Sequence, residues 1–176
     1  MNVEMADPIQ SMSYPQELFG YTAHALCVPP FPPADVLMIG YGQGTIAELI
    51  KLIWGTQVEI MGVDLVRAET NGYNDFWEGD ASKFVNKYCT KRYDFVVVDL
   101  YNGKYIPTFV FSEQFVEGLA RIARKLLAIN CTFYDWNDFK IYDKHFLVDC
   151  VKQTNHDKVL FFNPKVEVER GKEAQA

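Results

Sequence analysis

Val36-Leu37-Met38-Ile39-Gly40-Tyr41-Gly42-Gln43-Gly44-Thr45 is a short apolar run that passes into a Gly-x-Gly-x-Gly loop. An apolar run of this length, closed by glycine, predicts a strand buried on both faces. Immediately afterwards Ile46, Leu49, Ile50 and Ile53 recur at i, i+3, i+4 and i+7, the spacing of one helix face. Thr45 and Glu48 form the S/T-x-x-E pattern of a capping box, so a helix is expected to start at Thr45. Glycine suits the loop for a steric reason: without a Cβ the chain turns sharply and lets a ligand touch the main chain. The helix start adds free N–H groups. Strand, glycine loop and helix N-terminus in this order predict a site for a nucleotide-like cofactor.

Working outward, strand and helix signals alternate after residue 35, the pattern of an α/β protein with a mostly parallel sheet and helices on both faces. Strands are expected at 36–39, 58–63, 93–99 and 126–133, with a further one ending near Trp77. The segments 159–162 and 165–169, separated by Asn163-Pro164, read as an antiparallel hairpin at the sheet edge. Helices are expected within 16–27, at 82–89, from a cap at Ser112, and at 139–153. In the helix after Ser112, Phe115, Leu119, Ile122 and Leu126 share a face, Glu117 is placed to pair with Arg121, and Arg124 and Lys125 suit the C-terminal end.

The 176 residues, 49% apolar and 23% charged, suffice for one domain with its own core and exclude disorder for the bulk of the chain. No run approaches the roughly 18 apolar residues that span a bilayer, and no basic segment opens the chain, so neither a membrane span nor a signal peptide is expected. Cys27, Cys89, Cys131 and Cys150 are far apart and lack metal-ligand spacing, which predicts no metal site, thiols that serve as core filler, and a cytoplasmic protein. His24, His145 and His156 have no carboxylate partner visible in the sequence and are expected to be solvated or packed. The net charge is −6, and no Lys or Arg precedes Lys51, whereas Glu4, Asp7, Glu17, Asp35 and Glu48 do. This disfavours nucleic acid as a partner, because phosphates must be neutralised by Lys and Arg, and favours a cationic small molecule.

Spacing narrows the cofactor. A dinucleotide fingerprint has glycine at the sixth position, where this chain has Thr45, and no Walker Gly-Lys-Ser/Thr is present. Asp64 ends the second strand twenty residues after Gly44, where a carboxylate can accept hydrogen bonds from ribose hydroxyls. With no pyrophosphate to hold, the loop can receive the amino-acid end of S-adenosylmethionine. Gly79-Asp80-Ala81 follows Trp77, offering a carboxylate to an adenine amine and an aromatic to flank its ring. Asp99 closes the strand Tyr93-Asp94-Phe95-Val96-Val97-Val98-Asp99. Ligands of open α/β sheets bind at such strand ends.

These residues together resemble the class I S-adenosylmethionine-dependent methyltransferase superfamily and, within it, the spermidine synthase-like group. The loop 40–44, Asp64 and Gly79-Asp80-Ala81 are similar to its cofactor motifs, and the strand ending at Asp99, followed by Tyr101-Asn102-Gly103-Lys104-Tyr105-Ile106-Pro107, is similar to its strand-four block. The resemblance implies a Rossmann-like, seven-stranded, mostly parallel sheet with an antiparallel C-terminal edge hairpin, formed by residues 35–170. An extension, 1–34, would pack over the substrate side, and 171–176 would be a frayed tail. It further implies S-adenosylmethionine as cofactor, contacted by Gly40, Tyr41, Gly42, Gly44, Asp64, Leu65, Asp80, Ala81 and Asp99. Gln10, Tyr21 and Tyr134 would lie on the substrate side. Thr22 and Ala23 stand where the family has His and Glu after that Tyr, and Asn102 stands where it has a second acid.

Transfer from a sulfonium needs chiefly that nucleophile and carbon be held in line. For an amine acceptor, Asp99 with Tyr101 beside it is the expected catalytic pair, orienting the acceptor or taking its proton. Asn130, Phe133, Tyr134 and Trp136 follow the fifth strand and could wall the acceptor. No Asn/Asp-Pro-Pro-Tyr follows strand four, which disfavours DNA bases as acceptors. The leading expectation is a small-molecule methyltransferase, with a homodimer compatible with the fold. Aminopropyl transfer from decarboxylated S-adenosylmethionine, a cofactor-binding module without turnover and an NAD-binding oxidoreductase are the alternatives.

Overall fold

The strand before the glycine loop is Asp35–Ile39 (β1), buried at every position. In the computed structural model, which describes residues 21–69 and 72–166, it lies near the middle of a seven-stranded sheet. Glu59–Asp64 (β2) and Asp75–Glu78 (β3) extend the sheet on one side of β1, all parallel. The chain then crosses back, and Tyr93–Val98 (β4) and Ala123–Asn130 (β5) add in parallel on the other side. Phe146–Gln153 (β6) and Lys158–Pro164 (β7) close the sheet antiparallel, in the order β3-β2-β1-β4-β5-β7-β6. The direction of winding reverses between β1 and β4, and the crevice at such a switch point is where open α/β sheets bind ligands.

Strand side chains alternate between two cores, as the pleat requires. Val36, Met38, Phe95 and Val97 face Cys27 after Tyr21–Leu26 (α1) and Ile46, Ala47 and Ile50 of Thr45–Trp54 (α2). Leu37, Ile39, Val96 and Val98 face Phe84, Val85, and Phe115 and Leu119 of a later helix, Glu113–Ile122. Helices therefore cover both faces, and the expected α/β architecture stands. Cys27, Cys89 and Cys131 are buried and Cys150 is half-buried, all as free thiols. Among the described residues no helix is long and apolar enough to cross a membrane.

Several boundaries differ from expectation, each for a tertiary reason. Gly44, not Thr45, is the N-cap of α2, and no side chain caps it. The glycine's left-handed φ of 84° sets the entry instead, so the Thr45/Glu48 capping box does not form. Residues 82–89 are not one helix: Asp80 caps Ala81–Lys83 (α3), which widens into a π-helix, Phe84–Tyr88. The helix capped by Ser112 (α4, Glu113–Ile122) stops before Leu126. Arg124 and Lys125 begin β5, where Arg124 Nη1 and Lys125 Nζ reach the buried carboxylate of Asp94 at 2.8 and 3.2 Å. Glu117 does not hold Arg121, whose Nη2 donates to the Val85 carbonyl at 2.7 Å.

The largest correction is at the C-terminal edge. Residues 139–153 are not a helix but a 3₁₀ segment, Trp136–Lys144, followed by β6. Phe139, Tyr142 and Phe146 are fully buried and pack in sequence against one another, with Tyr142 also stacked on Phe162. Their helix-like spacing is met by the tighter 3₁₀ turn, and the hairpin partner of β7 is β6 rather than 165–169. Asn163-Pro164 ends β7, where proline forfeits no ladder hydrogen bond, and the turn is made around Thr154, whose Oγ1 accepts from the N–H of His156 and Asp157. Of the expected strand 165–169, residues 165 and 166 are not strand and 167–169 lie outside the described residues. The part of the expected helix 16–27 that is described is α1; residues 16–20, and the tail 171–176, lie outside them.

Candidate active site

The glycine loop leaves β1 with Gly40, Gly42 and Gly44 at φ 86°, 55° and 84°, all in the left-handed region that other residues avoid. Gly40 is confined as well as bent, since a Cβ there would collide with the carbonyl oxygen of Asp99. The loop is thus laid directly against the end of β4. Hydrogen bonds from the Gly40 and Tyr41 N–H groups to Val63 O, at 2.9 and 3.2 Å, lash it to β2. Tyr41 is buried, its ring edge-on to Tyr73 and Phe76 at 5.5 Å, so its side chain supports the loop from below.

Asp64, at the end of β2, holds the loop in shape. Its Oδ2 accepts from Gly42 N–H at 2.8 Å and its Oδ1 from Leu65 N–H at 2.7 Å. A carboxylate has about four acceptor positions, so each oxygen keeps capacity for a hydroxyl donor. Leu65 and Val66 beside it are exposed at 67% and 74%, an apolar shelf at the rim. Gly79 N–H donates to Asp64 O at 2.8 Å, bringing the end of β3 alongside. Asp80 follows, with Oδ1 accepting from Ser82 N–H and Oγ at 2.8 and 2.6 Å. The Ser82 hydroxyl bond, opposed by partial burial, keeps the Asp80 carboxyl below the usual carboxylate range. Ala81 is buried behind it, and Trp77 packs on Phe84 and Tyr88 at 5.3 and 5.6 Å.

Asp99 lies just beyond β4 at the switch point. One oxygen, Oδ1, accepts from Asn130 Nδ2 at 2.9 Å, and the other, Oδ2, faces His24 Nε2 of α1 at 3.2 Å. Burial lowers the His24 imidazole, but the hydrogen bond to Asp99, its charge and that of Asp157 outweigh burial, so its pKa stands above the ordinary value. Asn130 is itself buried and accepts from Thr132 Oγ1 at 2.7 Å. Tyr101 does not face Asp99 with a free phenol: its hydroxyl donates to Asn130 O at 3.1 Å and accepts from Thr132 N–H at 2.9 Å. Burial first, and then the charge of Asp99, push that phenol up, away from the phenolate.

The structure therefore gathers Gly40, Gly42, Gly44, Asp64, Leu65 and Asp99 along the adjoining ends of β2, β1 and β4, with Asp80 and Ala81 next along the rim. Tyr134 stands apart from Asp99: its hydroxyl accepts from Ile106 N–H at 2.8 Å and its ring stacks on Phe111. Tyr21 opens α1 and Gln10 lies outside the described residues. His24, expected to be merely solvated or packed, is instead paired with Asp99, a correction that no local pattern could supply because α1 and β4 are remote in sequence. Asp157, also unremarked in the sequence, is buried near it. Among the described residues no cluster of side chains suits a metal ion.

Known proteins share this fold. No protein-family model matches the chain. It is 26% identical over 96 residues, 48% of its own length, to a polyamine aminopropyltransferase of Vibrio vulnificus, and the matched part spans 32% of that relative. A SAM-dependent methyltransferase from Aquifex aeolicus superposes with a TM-score of 0.62, covering 90% of this chain and 99% of that one at 16% identity. A 1,6-didemethyltoxoflavin-N1-methyltransferase from Burkholderia thailandensis, solved with S-adenosylhomocysteine, superposes with a TM-score of 0.58 over 92% of this chain and 80% of that one at 13% identity. The seven-stranded sheet with its antiparallel edge is thus the fold of S-adenosylmethionine-dependent methyltransferases and spermidine synthase-like proteins.

Proposed function

We propose that this chain is an S-adenosylmethionine-dependent transferase that moves a methyl group to a small-molecule acceptor. The observation that carries the reading is the meeting of the glycine loop, Asp64 and Asp99 at the switch point between β1 and β4. The loop's main chain would hold the amino-acid end of the cofactor, Asp64 the ribose, and Leu65, Asp80 and Ala81 the adenine. When bound, the cofactor supplies a methyl carbon on a cationic sulfonium whose departure leaves a neutral thioether. The protein's task is then chiefly to align the acceptor. An amine acceptor must also shed a proton, and Asp99, whose Oδ2 is faced by His24 Nε2 at 3.2 Å, would be the group to receive it. Asn130 fixes the other oxygen, and Tyr101 acts through the Asn130 and Thr132 backbone as a positioning residue. A small acceptor, rather than nucleic acid, accords with the net charge of −6.

A second reading, aminopropyl transfer from decarboxylated S-adenosylmethionine, is favoured by the match to the Vibrio aminopropyltransferase. One experiment separates the readings. The protein is titrated calorimetrically with S-adenosylmethionine, its decarboxylated form and NADH, then incubated with methyl-labelled cofactor and a metabolite extract. Methyl transfer predicts tighter binding of the intact cofactor and label in a low-mass product that Asp99→Asn abolishes. Preference for the decarboxylated form moves the assignment to aminopropyl transfer. Binding with no transfer of any kind leaves a cofactor-binding module, and no heat with either sulfonium compound ends the proposal.

A further inference from the structure

At the opposite end of β4 from Asp99, the π-helix, the segment leading into β4 and the end of α4 border an open surface cleft of about 460 Å³. Its walls carry Lys87, Lys91, Arg92 and Arg121, together with Asn86 and Thr90. Six strand residues at roughly 3.3 Å each place it about 20 Å from the Asp99 rim. It is a separate feature from the site described above.

Elsewhere in this acidic protein several cations have found carboxylates: Arg124 and Lys125 at Asp94, Arg67 at Glu78, Lys144 at Glu113. In the cleft only Lys91 has, at Asp35 and Glu59, 3.3 and 3.7 Å away. Among the described residues, no carboxylate lies within 4.0 Å of the side-chain nitrogens of Lys87, Arg92 or Arg121. Two guanidinium groups are each tethered by one bond to a main-chain carbonyl. Arg121 Nη2 donates to Val85 O at 2.7 Å and Arg92 Nη2 to Ala123 O at 3.2 Å. A guanidinium has five N–H donors, so each anchored group keeps most of them for a ligand.

The wall itself is unusual. Phe84–Tyr88 is a π-helix, closed by the Cys89 N–H to Phe84 O bond at 2.8 Å, a geometry that is rare and concentrates at functional sites. It carries Asn86 and Lys87 on the cleft. A cleft of this volume falls within the small-ligand range of about 300–1,000 Å³. Guanidinium groups tethered to the main chain with donors to spare select anionic oxygens, and their planar forks match phosphate in particular.

We propose that this cleft binds a small polyanion bearing a diphosphate or phosphate-ester group, held by Lys87, Arg92 and Arg121. The inference does not depend on what the Asp99 rim binds. The test uses the full chain, with pyrophosphate, ADP and adenosine as probes, read by calorimetry and by amide and Arg Nε chemical shifts. Pyrophosphate and ADP should bind with submillimolar affinity, shifting Asn86, Thr90 and the Arg92 and Arg121 side chains, while adenosine leaves them unmoved. ADP tighter than pyrophosphate identifies a phosphorylated metabolite as the occupant; equal affinity identifies the free diphosphate. Arg121→Gln should weaken binding about tenfold. Because Arg121 also serves the Val85 carbonyl, Lys87→Gln is the second variant, at an exposed side chain that makes no hydrogen bond or ion pair among the described residues, and should weaken binding several-fold. Absence of shifts in the cleft, affinity unchanged in Lys87→Gln, or ADP displaced by S-adenosylhomocysteine would each overturn the proposal.

Discussion

His24 Nε2 stands 3.2 Å from Asp99 Oδ2, so the helix that precedes the first strand is tied to the tip of β4 at the point where the sheet changes its direction of winding. The pair is largely shielded, with side-chain exposures of 13% and 14%. It couples the position of α1 to the protonation of one imidazole.

A group whose pKa is raised on folding contributes stability that is complete below its unfolded value, about 6.5 for His, and is lost as pH rises through the folded value. Asp99→Asn should therefore lower the His24 midpoint, read from its ring signals by NMR. It should also cost about 1.5–3 kcal/mol near pH 6, the worth of a hydrogen bond to a charged group, and less near pH 9. A His24 titration indifferent to Asp99→Asn would show that the contact carries no charge coupling.

Gly40→Ala tests the loop. Its φ of 86° costs an L-residue roughly 1–2 kcal/mol, and the new methyl meets the Asp99 backbone, which cannot swing aside as a side chain can. We expect a less stable protein in which β1 and β4 are pried apart at the rim, with adenosyl-cofactor affinity reduced more than tenfold. Thermal unfolding and calorimetry on the same sample give both numbers. A variant with native stability and native affinity would mean that the backbone relaxes at no cost.

Why so much of this was legible, and where legibility stopped, follows from the range of the forces involved. The run through Phe95-Val96-Val97-Val98 is apolar because β4 is buried on both faces, and the loop glycines are demanded by local φ; both leave marks within ten residues. The C-terminal edge reads as a helix because Phe139, Tyr142 and Phe146 satisfy a helical spacing, while Tyr142 and Phe146 pack on Phe162, a partner outside any local window. Arg124 and Lys125 looked like a helix end until Asp94, thirty residues away in the chain, drew them into β5. His24 was invisible for the same reason: its only conspicuous feature is a carboxylate brought to it by the fold.

Asp64 is expected to separate structure from binding. Asp64→Asn keeps an oxygen that can accept from Gly42 N–H but turns its NH2 toward Leu65 N–H, and so should leave the loop standing at a cost of about 1 kcal/mol. It loses the charged acceptor for ribose hydroxyls, and adenosyl-cofactor affinity should fall about tenfold, one charge-assisted hydrogen bond's worth. Asp64→Ala removes the loop contact as well and should lower both stability and affinity. Equal affinity in wild type and Asp64→Asn would take Asp64 out of the cofactor site and leave it a loop brace.

Asp94 is expected to contribute to the acid sensitivity of the fold. Burial alone would raise its carboxyl, but the Ala34 N–H at 3.0 Å, Lys125 and Arg124 outweigh burial and hold it below the usual range. A depressed carboxylate contributes stability that is present above the unfolded value, about 3.9, and lost as pH falls through the folded one. Asp94→Asn leaves Arg124 and Lys125 facing a neutral amide, and since both are partly exposed the loss at pH 7 should be about 2–3 kcal/mol, short of the 3–5 kcal/mol seen when a fully buried pair is broken. Denaturant titrations at pH 7 and pH 3 measure the gap between wild type and variant. It should narrow on acidification, because the wild type alone surrenders the pair; a gap of constant size would mean that the Asp94 contribution is packing and not charge.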